Sequence, residues 1–216
     1  MDKYDDEEQF NHNNMRDSPI MIGKEYKAIS LRRNQLKEIP KDVCDTVEYL
    51  DVSDNLIGNV DVSRFSGIDV LDLGYNLLKH FDSITNPTIT ELYLMANDIS
   101  VIPPSIKDLH KLKKFDIANN RLKEIENLKD LPESIEELFI GANGLKWFEV
   151  DLRSKTKLKL VDLQYNKLTE FDCDLLPDSV ETLLLNNNTG LKVVKNIRKF
   201  KMLDLSDTQV ETRYEK

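Results

Sequence analysis

Eight asparagines recur at almost even steps along most of this chain. They stand at Asn34, Asn55, Asn76, Asn97, Asn120, Asn143, Asn166 and Asn188, and Thr208 holds the ninth register. Each sits in the same phrase, Leu-x-x-Leu-x-Leu-x-x-Asn-x-Leu, allowing other aliphatic residues at the leucine places. Five residues beyond each asparagine comes another apolar side chain: Ile39, Val60, Phe81, Ile102, Ile125, Phe148, Phe171 and Val193. A period of 20 to 23 residues marks a solenoid, in which one short unit stacks on the next. Three ladders in a single register, running from residue 26 to 210, leave little room for any other fold.

Elementary geometry assigns each place in the phrase. Side chains of a strand alternate, so the two aliphatics of Leu-x-Leu point the same way. The inward pairs are Ile29/Leu31, Leu50/Val52, Leu71/Leu73, Leu92/Leu94, Phe115/Ile117, Leu138/Ile140, Val161/Leu163, Leu183/Leu185 and Leu203/Leu205. A single repeat cannot bury such a face, whereas stacked repeats make one continuous core. The asparagine sits where the chain leaves the strand, and its amide can both donate to and accept from backbone that would otherwise go unpaired. Repeats this short have little space for full helices. The expectation is a mostly β solenoid of the α/β type: a horseshoe with a parallel concave sheet of about nine short strands. Turns and 3₁₀ segments should fill the convex side, with a helical turn near 105–112. Gly190, Thr208 and the absence of an apolar residue at Arg213 make the last repeats atypical, as the ends of a stack should be.

Ahead of the repeats, residues 1–18 carry six acids against Lys3 and Arg16. With few aliphatic residues this stretch reads as a disordered acidic arm, or alternatively as an acidic docking peptide. Ile20-Met21-Ile22 places a capping strand within 19–25, and the repeat domain occupies 26–216. Over the whole chain 39 acids face 30 lysines and arginines, a net charge of −9. That balance speaks against a protein whose main work is neutralising phosphates. No apolar run reaches the length of a membrane span. The acidic start, Met1-Asp2-Lys3-Tyr4-Asp5-Asp6, is the opposite of a secretory signal. Two cysteines, Cys44 and Cys173, are too few for a disulfide framework. An intracellular chain, cytoplasmic or nuclear and monomeric on its own, is expected.

Catalytic chemistry finds few residues here. His12, His80 and His110 pair with no cysteine at metal-ligand spacing, and neither a phosphate loop nor a nucleophile elbow occurs. No enzyme activity, cofactor or metal is expected. The informative surface is the concave sheet, where the residue between the two inward aliphatics faces out. From Asp72 onward that column reads Asp72, Tyr93, Asp116, Phe139, Asp162, Leu184, Asp204, acid alternating with apolar. The acids have a plain reading, since Leu-Asp-Leu is common in such repeats. Aromatic residues standing open beside acids build a binding face for a basic, partly apolar protein surface. The candidate partner-binding residues are Tyr49, Asp72, Tyr75, Tyr93, Asp116, Glu137, Phe139, Asp162 and Tyr165. Two basic stretches, Lys107 to Lys114 and Lys192 to Lys201, read as a solvated edge, or alternatively as a contact for RNA.

The phrase itself resembles the intracellular leucine-rich-repeat superfamily. Within it, Glu91-Leu92-Tyr93-Leu94, Phe115-Asp116-Ile117-Ala118-Asn119-Asn120-Arg121-Leu122-Lys123-Glu124-Ile125 and Glu137-Leu138-Phe139-Ile140 resemble the nuclear leucine-rich-repeat regulators of protein phosphatase 1. That resemblance implies a phosphatase catalytic subunit as partner, gripped by Tyr93, Asp116, Glu137 and Phe139. The chain departs from the pattern in having nine repeats and an acid at Asp162 where an aromatic would stand. Leu131-Pro132-Glu133-Ser134-Ile135-Glu136-Glu137-Leu138 is similar instead to short-repeat effectors of bacterial pathogens. A non-enzymatic adaptor is the first functional reading. A ribonucleoprotein accessory subunit held by the basic edge, and an effector acting by binding alone, are the alternatives.

Overall fold

The computed structural model describes residues 8–9 and 26–211. Twelve strands occur among them: β1 Glu8–Gln9, β2 Ala28–Ser30, β3 Tyr49–Asp51, β4 Val70–Asp72, β5 Glu91–Tyr93, β6 Lys114–Asp116, β7 Glu137–Phe139, β8 Leu160–Asp162, β9 Glu170–Asp172, β10 Thr182–Leu184, β11 Val193–Lys195 and β12 Met202–Asp204. Nine repeat strands lie parallel in one sheet, in the order β2 to β8, then β10 and β12, with β1 on the outer edge of β2. The middle residues pair in one row, Leu50 with Leu71, Leu71 with Leu92, Leu92 with Phe115, and onward to Leu183 with Leu203. Eight of the nine expected inward pairs are fully shielded from solvent. The ninth, Leu203/Leu205, is only half-buried because no repeat covers its outer side.

The asparagine ladder ties each repeat to the one before it. Asn76 donates through Nδ2 to the carbonyls of Val52 and Leu73 and accepts at Oδ1 from the Ile57 amide. The same bonds recur at Asn55, Asn97, Asn120, Asn143, Asn166 and Asn188. Thr208 keeps only local bonds, donating to the Leu205 carbonyl and accepting from the Val210 amide, so the last repeat is held less firmly. The residue before each of the nine registers has left-handed backbone, with φ between 53° and 60°, and none is a glycine. Arg33, Asp54, Tyr75, Ala96, Asn119, Ala142, Tyr165, Asn187 and Asp207 hold these places. Left-handed backbone is costly for such residues. Eight of the nine amides, all but that of Asp207, donate to a carbonyl of the next repeat, as Tyr75 does to Met95 at 2.8 Å, and this offsets the strain.

The convex side carries three 3₁₀ segments, Pro104–Asp108, Glu126–Asp130 and Cys173–Leu175, and no α-helix occurs among the described residues. The turn expected near 105–112 is therefore the first of these. A second, two-stranded sheet joins β9 to β11. Phenylalanines knit the repeats inside, Phe148 and Phe171 of adjacent repeats centred 5.7 Å apart, and Phe81 and Phe115, two repeats apart, 6.1 Å. Glu8 and Gln9 pair with Ile29 and Ser30, so the backbone there extends the sheet, whose unpaired edge groups accept another strand. The rest of the acidic arm, and the capping strand read at 19–25, lie outside the described residues.

Candidate functional site

Each repeat strand presents its first and third residues on the concave face. Along β3 to β8 the first-position column reads Tyr49, Val70, Glu91, Lys114, Glu137, Leu160, and the third-position column reads Asp51, Asp72, Tyr93, Asp116, Phe139, Asp162. Seven of the nine candidate residues lie in these two columns. Tyr75 and Tyr165 do not. They occupy the left-handed turns that follow β4 and β8, 50% and 59% exposed, and so stand on a rim of the sheet rather than on its face.

At the centre of the face Lys114 lies between two rings. Its Nζ is 5.4 Å from the Tyr93 ring centre and 5.3 Å from that of Phe139, and 3.3 Å from the Glu137 carboxylate. The Tyr93 hydroxyl donates to Glu91 at 2.6 Å. Burial first, and that bond second, push the Tyr93 phenol far above its usual range. Two aromatics, a cation and two acids on three adjacent strands thus form one patch. Lys114 and Glu91 do not stand out in the sequence, and only the strand register brings them against Tyr93 and Phe139.

The aspartates have a structural duty. Asp51, Asp72, Asp116, Asp162 and Asp204 each accept at Oδ1 from the amide two residues on, at 2.8 to 3.0 Å. These bonds hold the chain as it leaves each strand. Burial still raises Asp72 to about 6, helped by the neighbouring charges of Asp51 and Asp116. Burial likewise raises Asp116, with Asp162 adding to it, and raises Asp162. None of these three carboxylates has a lysine or arginine within ion-pair distance among the described residues. An arriving cation would therefore meet desolvated acids that have no ion-pair partner and only the more distant charges of Arg32, at Asp72, and Lys114, at Asp116.

The basic stretch at 192–201 is largely spent inside the molecule. Lys195 pairs with Glu170 at 2.8 Å and Lys201 with Glu181 at 2.7 Å. Arg198 donates to the carbonyls of Cys173, Leu176 and Pro177. Both cysteines are buried, and burial pushes the Cys173 thiol up to about 11. No cluster of three metal-binding side chains occurs among the described residues, and no helix there is long and apolar enough to cross a membrane.

Residues 87–130 match the family model for leucine-rich repeats, in two copies. Over 123 residues the chain is 31% identical to the protein phosphatase 1 regulatory inhibitor subunit homologue of Arabidopsis thaliana, covering 53% of this chain and 37% of that one. Over 145 residues it is 28% identical to the flightless-1 homologue of Caenorhabditis elegans, covering 52% and 11%. The chain thus spans well under half the length of either relative. A leucine-rich-repeat protein of Leptospira interrogans superposes with a TM-score of 0.57 at 17% identity, over 93% of this chain and 66% of that one. An internalin of Listeria monocytogenes does so at 0.51 and 16%, over 87% and 76%. Those two likenesses concern the fold alone. Residues 87–130 thus carry the leucine-rich-repeat signature, and the repeat register and the parallel sheet give the chain the leucine-rich-repeat fold.

Proposed function

We propose that the chain is a non-catalytic binding module that takes a protein partner on its concave face, and that the partner is a catalytic subunit of the protein phosphatase 1 type. The observation that carries this reading is the patch of Tyr93, Lys114 and Phe139 set among Asp72, Asp116 and Asp162. Rigid aromatics in a desolvated setting are the residues from which binding hot spots are made. Desolvated acids with no ion-pair partner favour a protein that brings a further cation. The relative from Arabidopsis supports the phosphatase as that partner.

Titration calorimetry with a purified phosphatase 1 catalytic subunit tests the reading. Saturable binding that Tyr93→Ala with Phe139→Ala weakens at least a hundredfold, in a variant of unchanged circular dichroism, supports it. Binding that survives this change and is lost on Lys192→Glu with Lys199→Glu would overturn it in favour of the basic edge. A ribonucleoprotein role has less support, because Lys195, Arg198 and Lys201 are already engaged within the chain.

A further inference from the structure

The convex side holds a groove of about 510 Å³ between the fifth and sixth repeats, beside Trp147. Trp147 is the only tryptophan and is 60% exposed. Strand-like alternation explains why. Ile125, Phe148 and Val150 point into the core, so Glu124 and Glu126 in one repeat, and Trp147 and Glu149 in the next, face outward. Counted from Asn120 and Asn143, Glu124 stands in register with Trp147, and Glu126 with Glu149. All four line the groove.

One repeat further on, the same two registers are held by Glu170 and Asp172, and there the convex segment of the eighth repeat closes directly on that of the seventh. Strand β11 pairs in parallel with β9. Its Lys195 reaches Glu170 at 2.8 Å, and Asn196 donates to Asp172 at 2.9 Å. The convex segments of the fifth and sixth repeats are not closed on each other in this way among the described residues. Glu124, Glu126 and Glu149 make no ion pair among the described residues, whereas Asp151, at the end of the groove, is held by Arg153. The backbone is likewise unoccupied. On either side the convex backbone is paired, Val101 with Glu124 and β9 with β11. Trp147 to Val150 make no backbone hydrogen bond among the described residues.

From this we infer that the convex groove is a second binding site, for an extended segment of another protein that carries a lysine or arginine between apolar residues. The segment would lie beside Trp147 to Val150 as an added strand. Its cation would sit over the indole face and between Glu126 and Glu149, as Lys195 sits on Glu170. Lys123 and Lys129 also line the groove, so an occupant with one cation fits it better than a polybasic run. The site lies on the side opposite the concave patch and stands or falls apart from it.

The chain itself provides the probe. A synthetic peptide with the sequence of residues 191–197, Leu-Lys-Val-Val-Lys-Asn-Ile, is titrated against the intact protein while Trp147 fluorescence is read. A control peptide carries glutamate at both lysine places. A saturable change with the lysine peptide is expected, at least tenfold weaker in Glu126→Gln with Glu149→Gln, and unchanged in Tyr93→Ala with Phe139→Ala. Equal responses to the two peptides, no saturable response through the millimolar range, or a response indifferent to the glutamine changes would overturn the inference. So would a shift in Trp147 emission that grows with protein concentration alone, since the occupant would then be a second copy of this chain.

Discussion

Asn120→Ala removes one rung of the ladder that joins the repeats, and its cost can be worked from the bonds it makes. Oδ1 accepts from the Ile99 amide at 3.0 Å, and Nδ2 donates to the carbonyls of Leu94 at 2.9 Å and of Ile117 and Ala118 at 3.1 Å. The site is 7% exposed, so water cannot readily take these places. A buried amide left unpaired costs about 1–3 kcal/mol, and each lost donor bond about 1 kcal/mol. Nδ2 has only two protons to share among the three carbonyls, so about 1 kcal/mol for the orphaned amide and about 1 for each proton sum to about 3 kcal/mol. For a chain of this length each kcal/mol moves the melting temperature by about 2–4 °C, which gives a fall of about 6–12 °C. Asp116→Ala is the comparison. It gives up one bond, to the Ala118 amide at 3.0 Å, but also removes a carboxylate whose charge burial disfavours. Its shift should be at most a few degrees. Thermal melts followed by far-ultraviolet circular dichroism decide the matter. Equal shifts for the two variants would refute the division into a structural inner ladder and an outward face.

Three further changes test other parts of the structure. Asp72 is raised to about 6 from an ordinary 3.8, so the folded state binds its proton more tightly and stability should fall as pH rises from about 4 to 6. Asp72→Asn keeps the bond to the Gly74 amide, removes that fall, and should raise the melting temperature at pH 7; a variant with the same pH profile as the original would show that the burial reading is wrong. The same ionisation predicts that a cationic partner binds more weakly below pH 6, read by calorimetry at two pH values. Ala142→Gly places glycine where φ is 53° and should raise the stability by up to about 1 kcal/mol, read as a slightly higher melting temperature; a loss of stability would mean that the left-handed turn carries no strain.

The repeat was legible because it is periodic and because each place in it has one physical duty. Leu92, Phe115 and Leu138 could be put inside, and Asn97, Asn120 and Asn143 between repeats, without any structure. The third-position column on the concave face followed from strand alternation alone. Three features did not follow. The left-handed residues have no shared chemistry, since Arg33, Tyr75 and Ala142 serve alike, and the usual glycine signal is missing. Lys114 between Tyr93 and Phe139 depends on which columns meet across strands, which a pattern read along one strand does not contain. The turn bonds of the aspartates were readable from Asp-x-Ser and Asp-x-Gly, as at Asp51-Val52-Ser53 and Asp72-Leu73-Gly74, yet a role in recognition overshadowed them. Trp147 stands one place before the core residue Phe148, and only the structure shows the groove it borders.

The central claim, that the partner lies on the concave acidic and aromatic face, is tested most directly by hydroxyl-radical footprinting of the complex with a phosphatase 1 catalytic subunit. Tyr93, Phe139 and Tyr49 should lose reactivity on binding, while Tyr26 and Phe200, near the two ends of the stack, keep theirs. A complex that forms with the rates at Tyr93 and Phe139 unchanged would contradict the account.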